Sequence, residues 1–196
     1  MLSKRSNPLS PRTFLSGTLG ALVAALLVIV AMVLLGEYTK TRGRLLLTFL
    51  DLASFCLSAI PPSALLRRGR LLPVAWTGLV ASGAGFVLVA TGIWVTPDSD
   101  AYWKTAAIVS ILAASTLQAS WLLLLTPVRS LVLRLLWAVM GVSLLAALLS
   151  VAGIIGEIKP AAYWWVVFLL GIAGVVGSLA LLALALRSKT GAIAED

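Results

Sequence analysis

Residues 14–36 read FLSGTLGALVAALLVIVAMVLLG, an apolar run without a single charged side chain. A helix rises about 1.5 Å per residue, so this run is long enough to cross the roughly 30 Å hydrocarbon core of a bilayer. It is also longer than the apolar region of a cleaved secretory signal, which has about 7–15 residues. We therefore predict that it is retained as a first transmembrane helix.

The rest of the chain has the same character. Of its 196 residues 61% are hydrophobic and 11% are charged, whereas soluble domains carry about 25% charged residues. Because the links between the apolar runs are short, we predict an all-α integral membrane protein, an up-down bundle of six transmembrane helices in a single domain, residues 1–196. The six predicted segments are Thr13–Gly36, Tyr38–Ile60, Leu71–Thr96, Ala101–Leu125, Leu131–Ile155 and Ala161–Leu186.

The second segment is the weakest of the six. Its strongly apolar part is only Leu45–Ile60, which Asp51 interrupts and which basic residues precede at positions 40, 42 and 44. Pro61-Pro62 is expected to end the helix. The distribution of Lys and Arg does not decide whether it spans, because a six-span and a five-span topology both put ten of them inside and five outside.

An internal similarity favours six spans. The sequence YTKT at 38–41 resembles YWKT at 102–105 and, more loosely, YWWV at 163–166. A recurrence at fixed spacing indicates a repeated structural unit, here of about 61–64 residues. We predict three repeated helical hairpins, at about residues 13–60, 71–125 and 131–186, with short cytoplasmic tails at 1–12 and 187–196.

The chain has a formal net charge of +8, from 15 Lys and Arg against 7 Asp and Glu. These charges lie in the short links between apolar runs, which favours lipid headgroups rather than nucleic acid as their partners. Arg67, Arg68 and Arg70 are candidate contacts for anionic lipid headgroups. The alternative is that they only determine the topology.

The residue types argue against bound cofactors and catalysis. There is no histidine and only one cysteine, Cys56, so the usual ligands of metals and haem and the commonest general base are missing. No catalytic triad, CxxC, HExxH or phosphate-binding glycine loop occurs either. We expect no metal, no cofactor and no enzymatic activity.

Asp51 is the one ionisable residue well inside a predicted span, and such residues are expensive to insert and commonly functional. Aligning the repeats places Ser115 at the depth of Asp51 and Gln118 at the depth of Ser54. We predict a polar site between helices two and four, formed by Asp51, Ser54, Ser115 and Gln118. The alternative is that these side chains only form interhelical hydrogen bonds.

These features lead to two functional hypotheses. The first is a non-enzymatic accessory or scaffold subunit of a larger membrane complex, such as a respiratory or photosynthetic assembly, that contacts other membrane subunits. The second is a small six-helix transporter, channel or substrate-binding component that uses the polar site. In either case we expect a multi-pass protein of a bacterial cytoplasmic membrane, with both termini cytoplasmic.

Overall fold

The computed structural model describes residues 9–35, 39–69, 71–125 and 130–193. Arg70, the first hairpin tip at 36–38 and parts of both predicted tails lie outside these ranges. All regular structure within them is helical, and no strand occurs there. The six helices are α1 (Pro11–Leu34), α2 (Lys40–Arg67), α3 (Leu72–Val95), α4 (Asp100–Leu124), α5 (Ser130–Ile155) and α6 (Ala161–Ile193).

All six helices are long and apolar enough to cross a membrane. Large apolar side chains remain exposed along them; on α1, for example, Leu27, Val33 and Leu34 are exposed. Water would oppose such continuous apolar surfaces, whereas lipid chains accept them. The structure therefore indicates a multi-pass membrane protein, as the sequence predicts.

Local sequence explains where the first two helices begin. The Ser10 side chain accepts a hydrogen bond from the Thr13 backbone nitrogen at 3.2 Å, and Pro11 occupies the first turn of α1. Thr39 caps α2 in the same way, accepting from the Arg42 nitrogen at 3.3 Å. Each hydroxyl satisfies a backbone donor that has no partner within its helix.

One predicted boundary is wrong. Pro61 and Pro62 were expected to end the second helix, but both are buried within α2, which continues to Arg67. Proline removes a backbone donor, yet transmembrane helices tolerate it because neighbouring groups and local adjustments satisfy the freed carbonyls. Packing also favours the continued helix, because Pro62 lies directly against Gly78 of α3.

The chain forms two compact units, Met1–Leu117 and Gln118–Asp196, with the boundary inside α4. In the first unit α2 packs against both α1 and α3, and in the second α5 packs against α6. Small side chains allow the close approach at α3, as is usual between helices in lipid. Its buried residues are Ala75, Gly78, Ala81, Ser82, Gly85 and Gly92.

Candidate functional site

The contact between α2 and α3 follows a regular antiparallel register. A methyl group on Gly78 would lie 2.6 Å from Pro62 Cγ, and one on Gly85 would overlap the Phe55 ring. Between these two contacts, Ser58 Oγ lies 2.8 Å from Ser82 Oγ. Each step of three or four residues along α2 is thus matched by the same step backwards along α3.

The Ser58–Ser82 contact is a buried hydrogen bond between helices. The two residues are 7% and 3% exposed. Ser58 Oγ also lies 2.8 Å from its own helix at the Phe55 carbonyl, and Ser82 Oγ lies 2.8 Å from the Gly78 carbonyl. Because each hydroxyl carries one proton, one serine donates across the interface while the other donates to its own backbone.

The same register places Asp51 opposite Val89. Asp51 precedes Phe55 by one turn, and Val89 follows Gly85 by one turn. Asp51 is half-buried, and its Oδ2 atom is fully shielded without a hydrogen-bond partner in the part of the chain that the structure describes. The register therefore pairs Asp51 with an apolar residue of α3.

Polar groups continue from Asp51 toward the beginning of α2. Thr48 Oγ1 donates to the Arg44 carbonyl at 2.8 Å and accepts from the Trp94 indole nitrogen at 3.0 Å. Arg44, Thr48 and Asp51 lie on one face at steps of four and three residues. Together with Trp94 of α3 they form what we call the α2–α3 polar stripe.

The other predicted site residues have different partners. Ser54 donates to the Leu50 carbonyl at 2.9 Å and Ser115 to the Ile111 carbonyl at 2.7 Å, so each bonds to its own helix. Gln118 belongs to the second unit, where its amide nitrogen lies 2.9 Å from both the Gly174 carbonyl and Ser178 Oγ of α6. No hydrogen bond among the described side chains joins Ser54 or Ser115 to Asp51.

Sequence reasoning missed the role of α3 as the neighbour of Asp51. The signal was present as small residues at positions 78, 82 and 85, whose steps of four and three mark one face of a helix. Trp94 lies near the end of that helix, where tryptophan commonly anchors a helix at the membrane interface. Its hydrogen bond to Thr48 shows that it is also the α3 member of the α2–α3 polar stripe.

The predicted lipid-contact residues lie where α2 ends. Arg67 occupies the last turn of the helix and Arg68 follows as its C-cap; both are exposed. Arg70 lies outside the described residues. Their exposure leaves the guanidinium groups of Arg67 and Arg68 able to meet a headgroup region.

A second arrangement occurs at the tip between α3 and α4. The Tyr102 hydroxyl donates to the Leu88 carbonyl, and the Trp103 indole nitrogen donates to the Pro97 carbonyl at 3.0 Å. The two rings meet edge to face with centroids 5.5 Å apart. A methyl group on Gly92 would lie 2.7 Å from the Trp103 ring, so the glycine makes room for the indole.

The tip between α5 and α6 has the same contacts, 61 residues later. The Tyr163 hydroxyl donates to the Leu149 carbonyl, and the Trp164 indole nitrogen donates to the Ile158 carbonyl at 2.8 Å. The ring centroids are 5.6 Å apart, and Gly153 lies beneath the rings.

The backbones of the two tips also match. Thr96 and Glu157 are 61 residues apart, and both are left-handed with φ of 50°. We call each set of a glycine, a tyrosine and a tryptophan a tip lock. In residues 9–35 and 39–69 the first hairpin has no tryptophan, so it cannot form this lock.

Neither region resembles a metal centre, since the described residues contain no group of three or more His, Cys, Asp or Glu side chains that could hold an ion. What the α2–α3 polar stripe offers instead is one carboxyl group beside an indole N–H···hydroxyl pair. No protein-family model, curated protein or solved structure matches the chain.

Proposed function

We propose that this protein is a non-catalytic, multi-pass subunit of a larger membrane complex, and that it binds other transmembrane helices through open glycine faces. The observation that carries this proposal is a division among its helical glycines. At some of them, which we call filled glycines, a neighbouring side chain of the same chain occupies the space where a side chain would lie. At others, which we call open glycines, that space on the helix surface is empty.

The filled glycines have a clear structural use. A methyl group on Gly153 would lie 2.6 Å from the Tyr163 ring, and one on Gly177 would lie 2.7 Å from Val139. At such positions the absent side chain is what lets two helices approach closely. Further glycines in tight contact with a side chain of their own unit are Gly78, Gly85, Gly92 and Gly174.

The open glycines have no such use within the described chain. A methyl group at any of them would meet no neighbouring atom within 4 Å. Glycine costs a helix about 1 kcal/mol relative to alanine, and nothing in the described chain offsets that cost at these positions. The open positions are Gly20 on α1, Gly83 on α3, Gly141 on α5 and Gly171 on α6.

The surroundings of Gly83 fit a helix-docking surface. Val80 and Val87, one turn to either side, are 63% and 59% exposed. A small residue between two exposed valines forms a shallow groove, and such grooves allow close backbone packing between helices in lipid. A transmembrane helix of another subunit is therefore the partner that this face favours.

Native mass spectrometry after extraction in a mild detergent tests the proposal. We expect the wild-type protein to carry a stoichiometric second polypeptide. Gly83→Leu, Gly20→Leu and Gly141→Leu each fill one groove, and at least one should lose that partner. Val95→Leu is the control, because Val95 is exposed on another face of α3, and it should retain the partner. A wild-type protein that purifies alone, or a partner retained by these three variants and by Gly171→Leu, would refute the proposal.

We further propose that the hairpins are repeats of one unit and that both termini are cytoplasmic, in a bacterial inner membrane. The matching tip locks, 61 residues apart, support the repeat for the second and third hairpins. Basic side chains where α1 begins and α2 ends, Arg12, Arg67 and Arg68, support an inner location for those ends.

Transport is a second candidate function because one observation favours it. Asp51 places an acid within a membrane-spanning helix, with Oδ2 buried and unpartnered among the described residues, and such acids often line ion or proton pathways. Proton flux into proteoliposomes should then fall in Asp51→Asn and persist in the matched tip variant Asp98→Asn. Equal flux in Asp51→Asn and the wild type would exclude this role.

A further inference from the structure

The charged surroundings of Asp51 are sparse. α3 carries no titratable side chain, and α1 carries only Arg12, in its first turn. On α2 itself, Cys56 lies on another face, against Gly17 of α1, and Arg44 lies on the same face as Asp51, about 10.5 Å earlier along the axis. On α4, Tyr102 donates its hydroxyl to the Leu88 carbonyl, and Lys104 forms an ion pair with Asp100 at 2.7 Å. Arg44 is therefore the one basic residue on the polar stripe.

The neighbours of Asp51 argue against a metal cation as its ligand. Hard cations require about six oxygen ligands in a defined shell. By the register Val89 of α3 lies opposite Asp51, and Phe55 follows Asp51 by one turn on α2. Neither residue has a side-chain oxygen. A proton, by contrast, needs only the carboxyl oxygen itself.

Polar side chains lie between Asp51 and one end of α2. Arg44 and Thr48 supply a polar group at each turn before Asp51, and Trp94 joins Thr48 from α3. Beyond Asp51 the next polar side chain on this face is Ser58, about 10.5 Å further on. Polar side chains on this face are therefore closer together on the side at which α2 begins.

We propose that Asp51 is a reversible proton-binding site, reached along the polar stripe from the beginning of α2. The neutral form removes a charge from the membrane interior. This inference goes beyond the subunit role and holds with or without it. Like the transport candidate it concerns the Asp51 carboxyl group, but it does not require that protons cross the membrane.

Labelling with dicyclohexylcarbodiimide tests the site in the intact protein in liposomes. This apolar reagent enters bilayers and reacts with protonated carboxyl groups. Mass spectrometry should find the label on Asp51, and its rate should fall at least about tenfold between about pH 6 and pH 9 as the carboxyl group ionises. Asp51→Asn should lose the label, and Asp51→Glu should keep it. Sodium chloride at constant pH should leave the rate unchanged.

Three results would overturn the inference: no label at Asp51, a label whose rate does not depend on pH, or protection of Asp51 by sodium ions. The last would identify a metal cation as the ligand. Labelling that follows pH without any proton flux would keep the binding site and remove the transport function, so the two ideas fail separately.

Discussion

Gly85 of α3 lies so close to Phe55 of α2 that a methyl group on its α-carbon would overlap the aromatic ring. Two residues earlier, a methyl group on Gly83 would meet no neighbouring atom within 4 Å. One helix therefore carries a glycine that is required for internal packing and another that is open on its surface.

This contrast predicts opposite effects for the same substitution. Gly85→Ala should lower the free energy of unfolding by about 1–3 kcal/mol, because the methyl group forces the Phe55 ring or the backbone to move. Gly83→Ala should leave it unchanged or raise it by up to about 1 kcal/mol, since alanine favours the helix and meets nothing. Equilibrium unfolding in detergent micelles measures both, and equal effects would contradict the assigned packing.

The buried serine pair should contribute measurably to the α2–α3 contact. Interhelical hydrogen bonds in membrane proteins contribute about 0.6 kcal/mol on average and at most about 1.7 kcal/mol. A double-mutant cycle of Ser58→Ala and Ser82→Ala should give a coupling energy in this range. Thr91→Ala is the control, because its exposed hydroxyl bonds only to the Val87 carbonyl of its own helix. A coupling energy near zero would show that the hydrogen bond between Ser58 and Ser82 does not stabilise the contact.

Removing the tyrosine hydroxyl should lower the free energy of unfolding by the same amount at both tip locks. Tyr102→Phe and Tyr163→Phe each remove one hydroxyl that donates to a carbonyl of the preceding helix, so each should cost about 0.6 kcal/mol of unfolding free energy. Trp165→Phe is the control, since the Trp165 indole is 62% exposed and has no hydrogen-bond partner among the described residues. A loss at only one tip would argue against equivalent hairpins.

Hydropathy was sufficient to predict five of the helices and their approximate ends, because a membrane-spanning helix needs a fixed length of apolar sequence. The second helix was predicted only with the help of the repeated sequence at its start. The prediction failed at Pro61 and Pro62, which break helices in water but stay helical here beside α3. The rule that proline ends a helix carries no information about a neighbouring helix, and Gly78 is what accommodates Pro62.

The sequence was sufficient to identify Asp51 as a candidate site residue but not to identify the residues that surround it. Asp51 stands out in the sequence as a lone intramembrane acid, yet its neighbours depend on which helices pack together. The repeat alignment pointed to helix four, whereas the α2–α3 register points to Val89 and Trp94. Gln118 was grouped with Asp51 by depth alone, and its hydrogen bonds go to α6.

Six membrane crossings require that α2, the least apolar of the six helices, spans the bilayer. The most direct test labels single cysteines at the two ends of α2, Thr41→Cys and Arg68→Cys, in a Cys56→Ala background with a membrane-impermeant thiol reagent on intact cells. We predict that Thr41→Cys reacts from outside, while Arg68→Cys reacts only after permeabilisation. Reaction of both from the same side would show that α2 does not span and would contradict the six-span fold.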